Sequence, residues 1–161
     1  MERIMIRIIL SVLLLSSVAQ AREEKLTSFA SDYCTFYPEG TYYRPGLWQH
    51  CCLQHDLYFW AGGEKNDRLN ANYQLRDCVE KVTNAKHAKA VYAGVTAAQY
   101  SPIKDPDQKF NNAWRSRPDY QRLSTEDIDR IENHLRITEY PFLPDWMKID
   151  LIDQLRKRQA P

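Results

Sequence analysis

The residues with most chemistry in this chain are Cys51-Cys52-Leu53-Gln54-His55-Asp56. They lie in an apolar-rich run, residues 47–60, that holds neither glycine nor proline, and this predicts a helix. On a helix Cys51, His55 and Phe59 share one stripe, and Trp48, Cys52, Asp56 and Trp60 share the adjacent one. Neighbouring helical residues project about 100° apart, so His55 and Asp56 must serve different partners. The imidazole suits a general base acting on water, and the carboxylate suits a cation. The preceding stretch, residues 33–46, reads as a loop with Pro38, Gly40, Pro45 and Gly46. If Cys34 is tied to Cys52, that loop is drawn alongside Asp56, where Pro38 and Gly40 let successive carbonyls converge. Carbonyl oxygens with one carboxylate make a hard oxygen site of the kind that takes Ca²⁺.

Two other readings of the same residues exist. His50, Cys51, Cys52 and His55 are all zinc-ligand types, but their spacing does not match the usual cysteine pairs separated by two residues. Alternatively, His55 is a core histidine in a small disulfide fold. The cysteines one turn before it and the cysteine-bearing proline–glycine loop argue against plain packing.

The compartment decides how the cysteines are read. Residues 1–21 have the layout of a secretory signal peptide: Arg3 and Arg7, an apolar run from Ile8 to Val18, then Ala19-Gln20-Ala21. The run is short for a membrane span of ~20 residues, so export to a periplasm or beyond the cell is expected. In an oxidising compartment Cys34, Cys51, Cys52 and Cys78 read as two disulfides. Adjacent helical residues cannot reach relaxed disulfide geometry, so Cys51 and Cys52 each pair with Cys34 or Cys78. The chain of 161 residues has 22 Lys+Arg against 21 Asp+Glu, which speaks against a nucleic-acid partner for the chain as a whole.

The elements that must position these residues are mainly helical. Residues 22–32 read as a short helix, and Gly62-Gly63 stop the cysteine helix. Residues 65–100 carry Leu69, Asn72, Leu75, Val79 and Val82 at helical spacing, with a break expected near Asn84. Residues 101–122 hold three prolines and read as a connector. Ser124 with Asp127 three residues on predicts the start of a helix over 124–137, and a last helix is expected over 144–158 with Trp146, Ile149, Ile152 and Leu155 on one stripe. His87 and His134 read as surface positions, and Tyr42-Tyr43 with Arg44 as a turn or a membrane-interface contact. Residues 22–161 are expected to form one domain, with a helical extension from about residue 101.

Residues 51–56 resemble the secreted phospholipase A2 superfamily, whose motif Cys-Cys-x-x-His-Asp-x-x-Tyr follows a cysteine-containing calcium loop. A bacterial phospholipase A2-like group is the nearer likeness, through Asp32-Tyr33-Cys34-Thr35, Pro38-Glu39-Gly40, Trp48, Gly62-Gly63 and the stretch from Arg68 to Cys78. The likeness covers about residues 28–80. It implies a core of two antiparallel disulfide-linked helices behind a calcium loop, with Cys34–Cys52 and Cys51–Cys78 as the pairs. It implies Ca²⁺ held by Asp56 and the carbonyls of Tyr33, Thr35 and Tyr37, with Glu39 a possible further carboxylate. It also implies a catalytic His55 and hydrolysis of the sn-2 ester of a glycerophospholipid at a membrane surface, with Leu47, Trp48, Trp60 and Phe36 available for an acyl slot. Joined at Cys51 and Cys78, such helices bring His55 and Asn72 nearly level, so Asn72 occupies the place of the family's orienting Asp. Two departures stand out: Asn72 for that Asp, and Phe59 for the Tyr that supports it. They motivate the alternative of a weakened or inactive lipid- or protein-binding module on the same scaffold.

Overall fold

The computed structural model describes residues 24–35, 37–98, 100 and 109–159. The expected leader at 1–21, Phe36 and much of the connector lie outside them. Five helices form the described fold: α1 (Gln49–Ala61), α2 (Lys65–Val82), α3 (Ala85–Ala98), α4 (Thr125–Ile137) and α5 (Asp145–Lys157). No strand occurs among the described residues beyond an isolated bridge between Thr41 and Arg44, so the class is mainly α. No described helix is long and apolar enough to cross a membrane.

Local sequence accounts for most helix boundaries. α1 ends at Gly62, whose N–H reaches the Tyr58 carbonyl at 3.1 Å with φ at 83°, a conformation open to glycine at little cost. The long apolar pattern breaks at Thr83-Asn84, where the Asn84 Oδ1 accepts from the N–H groups of Lys86 and His87 at 3.0 and 3.1 Å and opens α3. Ser124 and Asp127 form a reciprocal capping box at the start of α4.

Residues 24–32 are not helical, contrary to the expectation for 22–32. Their hydrogen-bonding groups are taken by distant partners instead. The Thr27 N–H donates to the Ala113 carbonyl at 3.0 Å, and the Phe29 N–H to the Tyr140 hydroxyl at 2.9 Å. The Thr27 carbonyl accepts from the Trp60 indole at 3.0 Å. Leu26 and Phe29 anchor the segment in the core.

The described part of the connector closes the end of α1. Carbonyls of Phe59, Trp60 and Ala61 have no partner within their own helix. They accept from the Asn111 N–H at 2.8 Å, the Ala113 N–H at 3.0 Å and the Trp114 indole at 2.9 Å. Around this junction lies one hydrophobic core, with Leu53, Leu57, Trp60 and Trp114 among residues from α4 and α5 such as Ile131 and Leu151. A second, smaller core gathers Trp48, Leu75, Val79, Ala88 and Val91 around the disulfides.

α5 buries only half of the apolar stripe read from the sequence, Ile152 and Leu155. Trp146 and Ile149 are 52% and 61% exposed, while Met147, Leu151, Ile152 and Leu155 face inward. The helix is turned by polar groups: Asp150 accepts from the Tyr58 hydroxyl at 2.9 Å and from the Gln54 amide at 2.8 Å, and Gln154 accepts from Gln74 at 2.7 Å.

An ion cluster ties the N-terminal segment to α4. Arg117 pairs with Glu24 at 3.0 Å and Asp127 at 2.7 Å, and stacks over Trp114 at 3.7 Å. Burial pushes the Asp127 carboxyl up, but the Arg117 hydrogen bonds and the Ser124 backbone outweigh it and hold it below its ordinary 3.8. Chiefly through its bond from Ser116, Glu24 is also held low. Groups with depressed folded values stabilise the fold above their unfolded values and lose that contribution as pH falls through the folded ones. Denaturant titrations should therefore show stability falling with acid below about pH 4, and Asp127→Asn should flatten that acid limb. Gly62→Ala should lower stability by about 2 kcal/mol or more, because a non-glycine residue at φ 83° and ψ −158° costs of order 1–3 kcal/mol and the added Cβ meets the Asn111 side chain. Chemical denaturation of the single variant measures this.

Candidate functional site

Two disulfides leave α1 from consecutive residues. Cys34 is bonded to Cys52 and Cys51 to Cys78. Of the pairings left open by the residues alone, this is the one the family resemblance implies. Cys51–Cys78 ties α1 to α2, and one turn along, on the same stripe, the His55 ring enters the interface. Its Nε2 lies 2.9 Å from the Asn72 Oδ1. The imidazole is 7% exposed and Asn72 is 0% exposed. With Oδ1 as acceptor, the proton sits on Nε2 and Nδ1 keeps its lone pair. The Asn72 Nδ2 is buried without a hydrogen-bond partner.

Phe59 packs its ring on His55 at 4.2 Å between centroids and carries no hydroxyl toward Asn72. Tyr58 points elsewhere, to Asp150, and burial followed by that hydrogen bond drives its phenol well above the ordinary range.

Asp56 faces the loop held by Cys34–Cys52. Its Oδ1 stands 3.7 Å from the His55 Nδ1, beyond a hydrogen bond. Its Oδ2 accepts from the Ser31 hydroxyl at 2.5 Å, and the Ser31 Oγ accepts from the Tyr33 N–H at 3.0 Å. Ser31 is the residue the sequence reading missed; a serine between two core-anchoring segments gives no local signal. Burial raises the Asp56 carboxyl, the contacts with His55 and Ser31 oppose this, and the Asp32 charge adds to it. Asp32 is near enough for its charge to act on Asp56, while its own oxygens accept from the Thr35 hydroxyl at 2.7 and 2.9 Å.

The loop residues named from the resemblance have distinct positions. Tyr33 takes φ 62° and reaches Asp56 through Ser31. Thr35 turns its hydroxyl to Asp32 at 2.7 Å. Tyr37 donates its N–H to the Cys34 carbonyl at 2.9 Å and packs its ring 6.3 Å from Trp48. Glu39 is engaged elsewhere, accepting from the Gln49 amide at 2.7 Å. Trp48 and Trp60 are core residues rather than slot walls: their indoles donate to Pro38 at 2.6 Å and Thr27 at 3.0 Å. His134 is half-buried, with its Nε2 2.8 Å from the Tyr140 hydroxyl, and burial, with Lys25 nearby, lowers its pKa. The zinc grouping of His50, Cys51, Cys52 and His55 is dissolved by the two disulfides and by the His55–Asn72 contact.

Comparison with protein-family models, curated proteins and solved structures finds no match to this chain.

Because burial holds the Asp56 carboxyl above its ordinary 3.8, its charge weighs against the fold. A raised folded value contributes stability that is fully present below the unfolded value and lost as pH rises through the folded one. In chelator, Asp56→Asn should therefore be more stable than wild type at neutral pH. The gap should close as pH falls toward 3.8, as thermal melts across pH would read.

Proposed function

We propose that this chain is an exported, calcium-dependent hydrolase of phospholipase A2-like fold that cleaves the sn-2 ester of glycerophospholipids at a membrane surface. The observation that carries the reading is the His55–Asn72 contact of 2.9 Å, set between α1 and α2 beside the disulfide that joins them. The Cys-Cys-x-x-His-Asp spacing, the preceding loop bonded through Cys34 and the secretory layout of residues 1–21 support it.

In this reading Asn72 fixes the imidazole tautomer by accepting the Nε2 proton. His55 then takes a proton from water at Nδ1 as the water attacks the ester carbonyl. Asp56, with the loop carbonyls of Tyr33, Thr35 and Tyr37, would hold Ca²⁺. The chemistry supplied by the bound cation is charge neutralisation at the phosphate and at the tetrahedral oxyanion. Asn72 orients the ring but brings no negative charge to the imidazolium, so proton transfer is slower than with a carboxylate partner. Leu47 remains a candidate for the acyl slot.

A second reading, a lipid- or protein-binding module without turnover, is favoured by one specific observation. The His55 Nε2 meets the neutral amide oxygen of Asn72, and Phe59 packs on the ring without a hydroxyl, so no carboxylate stands ready to stabilise an imidazolium.

Fatty-acid release from mixed phospholipid vesicles, with Ca²⁺ or with EGTA, separates the two. The hydrolase reading expects calcium-dependent release that falls by about 10²–10⁴-fold in His55→Gln, and Asn72→Asp raises it. A silent wild type that Asn72→Asp switches on would favour the binding module. Absence of release in every vesicle composition, from wild type and Asn72→Asp alike, would remove the hydrolase reading.

A further inference from the structure

His50 has no part in the proposed hydrolysis. Its ring folds over the bond between α1 and α2: the Nε2 lies 3.5 Å from the Cys51 sulfur and 3.6 Å from the Cys78 sulfur. One nitrogen and two sulfurs therefore stand within 4.8 Å of one another. Zinc takes imidazole nitrogen at about 2.0–2.1 Å and thiolate sulfur at about 2.3 Å, so its ligand atoms stand about 3–4 Å apart. The two cysteine Cα atoms are 5.7 Å apart on separate helices. Leu75, Val79 and Trp48 are buried beside them, so apolar packing also holds these helices together.

The two disulfides differ in access. Cys34 and Cys52 are both buried, whereas Cys78 is partly exposed. A dissolved reductant therefore meets the Cys78 sulfur first.

We propose that reduction of Cys51–Cys78 opens a zinc site, with the His50 Nε2 and the two thiolates as ligands and water in the fourth position. The reductant is a dithiol. One of its thiolates attacks the Cys78 sulfur, the bond to Cys51 breaks and Cys51 leaves as thiolate. The second thiol resolves the mixed disulfide, so the reductant ends as a disulfide, having given two electrons and two protons. Zn²⁺ then replaces the two thiol protons, which pass to water. Metal bridging takes over from the covalent bond, and α1 and α2 stay joined beside His55 and Asn72. The set differs from the grouping suggested by sequence because α1 turns Cys52 and His55 to other partners and α2 brings Cys78 in.

The full chain, reduced with dithiothreitol and desalted without oxygen, is titrated with Co²⁺ as a coloured probe and then with Zn²⁺ to displace it. Reduced wild type should bind one equivalent with thiolate-to-cobalt absorption, and oxidised wild type none. His50→Ala should weaken binding at least about tenfold, and C34S/C52S should keep the absorption. The proposal falls if reduced wild type binds nothing, or if it loses its helical circular dichroism and metal does not restore it. It also falls if His50→Ala binds as wild type does, or if the absorption follows Cys34 and Cys52 in a folded C34S/C52S chain. Where that double variant does not fold, the His50→Ala titration decides alone.

Discussion

Two covalent bonds leaving one helix from adjacent positions set the geometry of everything near His55. Cys51 and Cys52 point about 100° apart, one toward α2 and the other toward the loop. Each is continued one turn later by a side chain on the same stripe: His55 after Cys51, and Asp56 after Cys52. The division of labour between imidazole and carboxylate is therefore decided by helix rotation before any contact of their own. Closing loops with separations of 18 and 27 residues stabilises the fold by about 3 kcal/mol each in the chain-entropy account.

The C-terminal half completes this arrangement. α1 would end in unsatisfied carbonyls at Phe59, Trp60 and Ala61, and the turn at Asn111–Trp114 supplies their donors. α5 adds Asp150, which gathers the polar edge of α1 at Gln54 and Tyr58, and Arg158 reaches Asp67 of α2 at 2.9 Å. The helix that carries His55 is thus held by sulfur at one end and by a folded cap at the other. Tyr33, in the left-handed region at φ 62°, is fixed by its bond to Ser31, by the neighbouring Cys34–Cys52 bridge and by packing against both cores.

Elements governed by local chemistry were legible in the chain. The cysteine helix, its glycine stop, the break at Asn84 and the Ser124 cap all rest on interactions within a few residues. The N-terminal segment was not, because Thr27 and Phe29 bond to residues 86 and 111 positions away in the sequence, at Ala113 and Tyr140. The inward face of α5 misled for a related reason: Asp150 and Gln154 have polar partners on α1 and α2, and their presence turns Trp146 and Ile149 outward. At the site, His55 and Asp56 were readable from spacing, and Asn72 through the cysteine pairing that the phospholipase A2 resemblance implies. Ser31 was not, since its role depends on a chain segment with no regular structure.

The adjacency of Cys51 and Cys52 also creates an isomer problem during oxidation. Joining Cys52 to Cys78 instead would need α1 turned by about 100°, and the same turn would carry Cys51 about 100° further from Cys34 and the loop. In that isomer Asp56, in place of His55, would be offered to Asn72. Sulfur chemistry scarcely distinguishes the two, because neighbouring thiols compete for the same partners. What distinguishes them is the apolar face of α1, since that turn would drag Leu57 and Trp60 out of the interior they fill. The correct bonds are in this sense chosen by leucine and tryptophan, and the sulfurs record a choice already made.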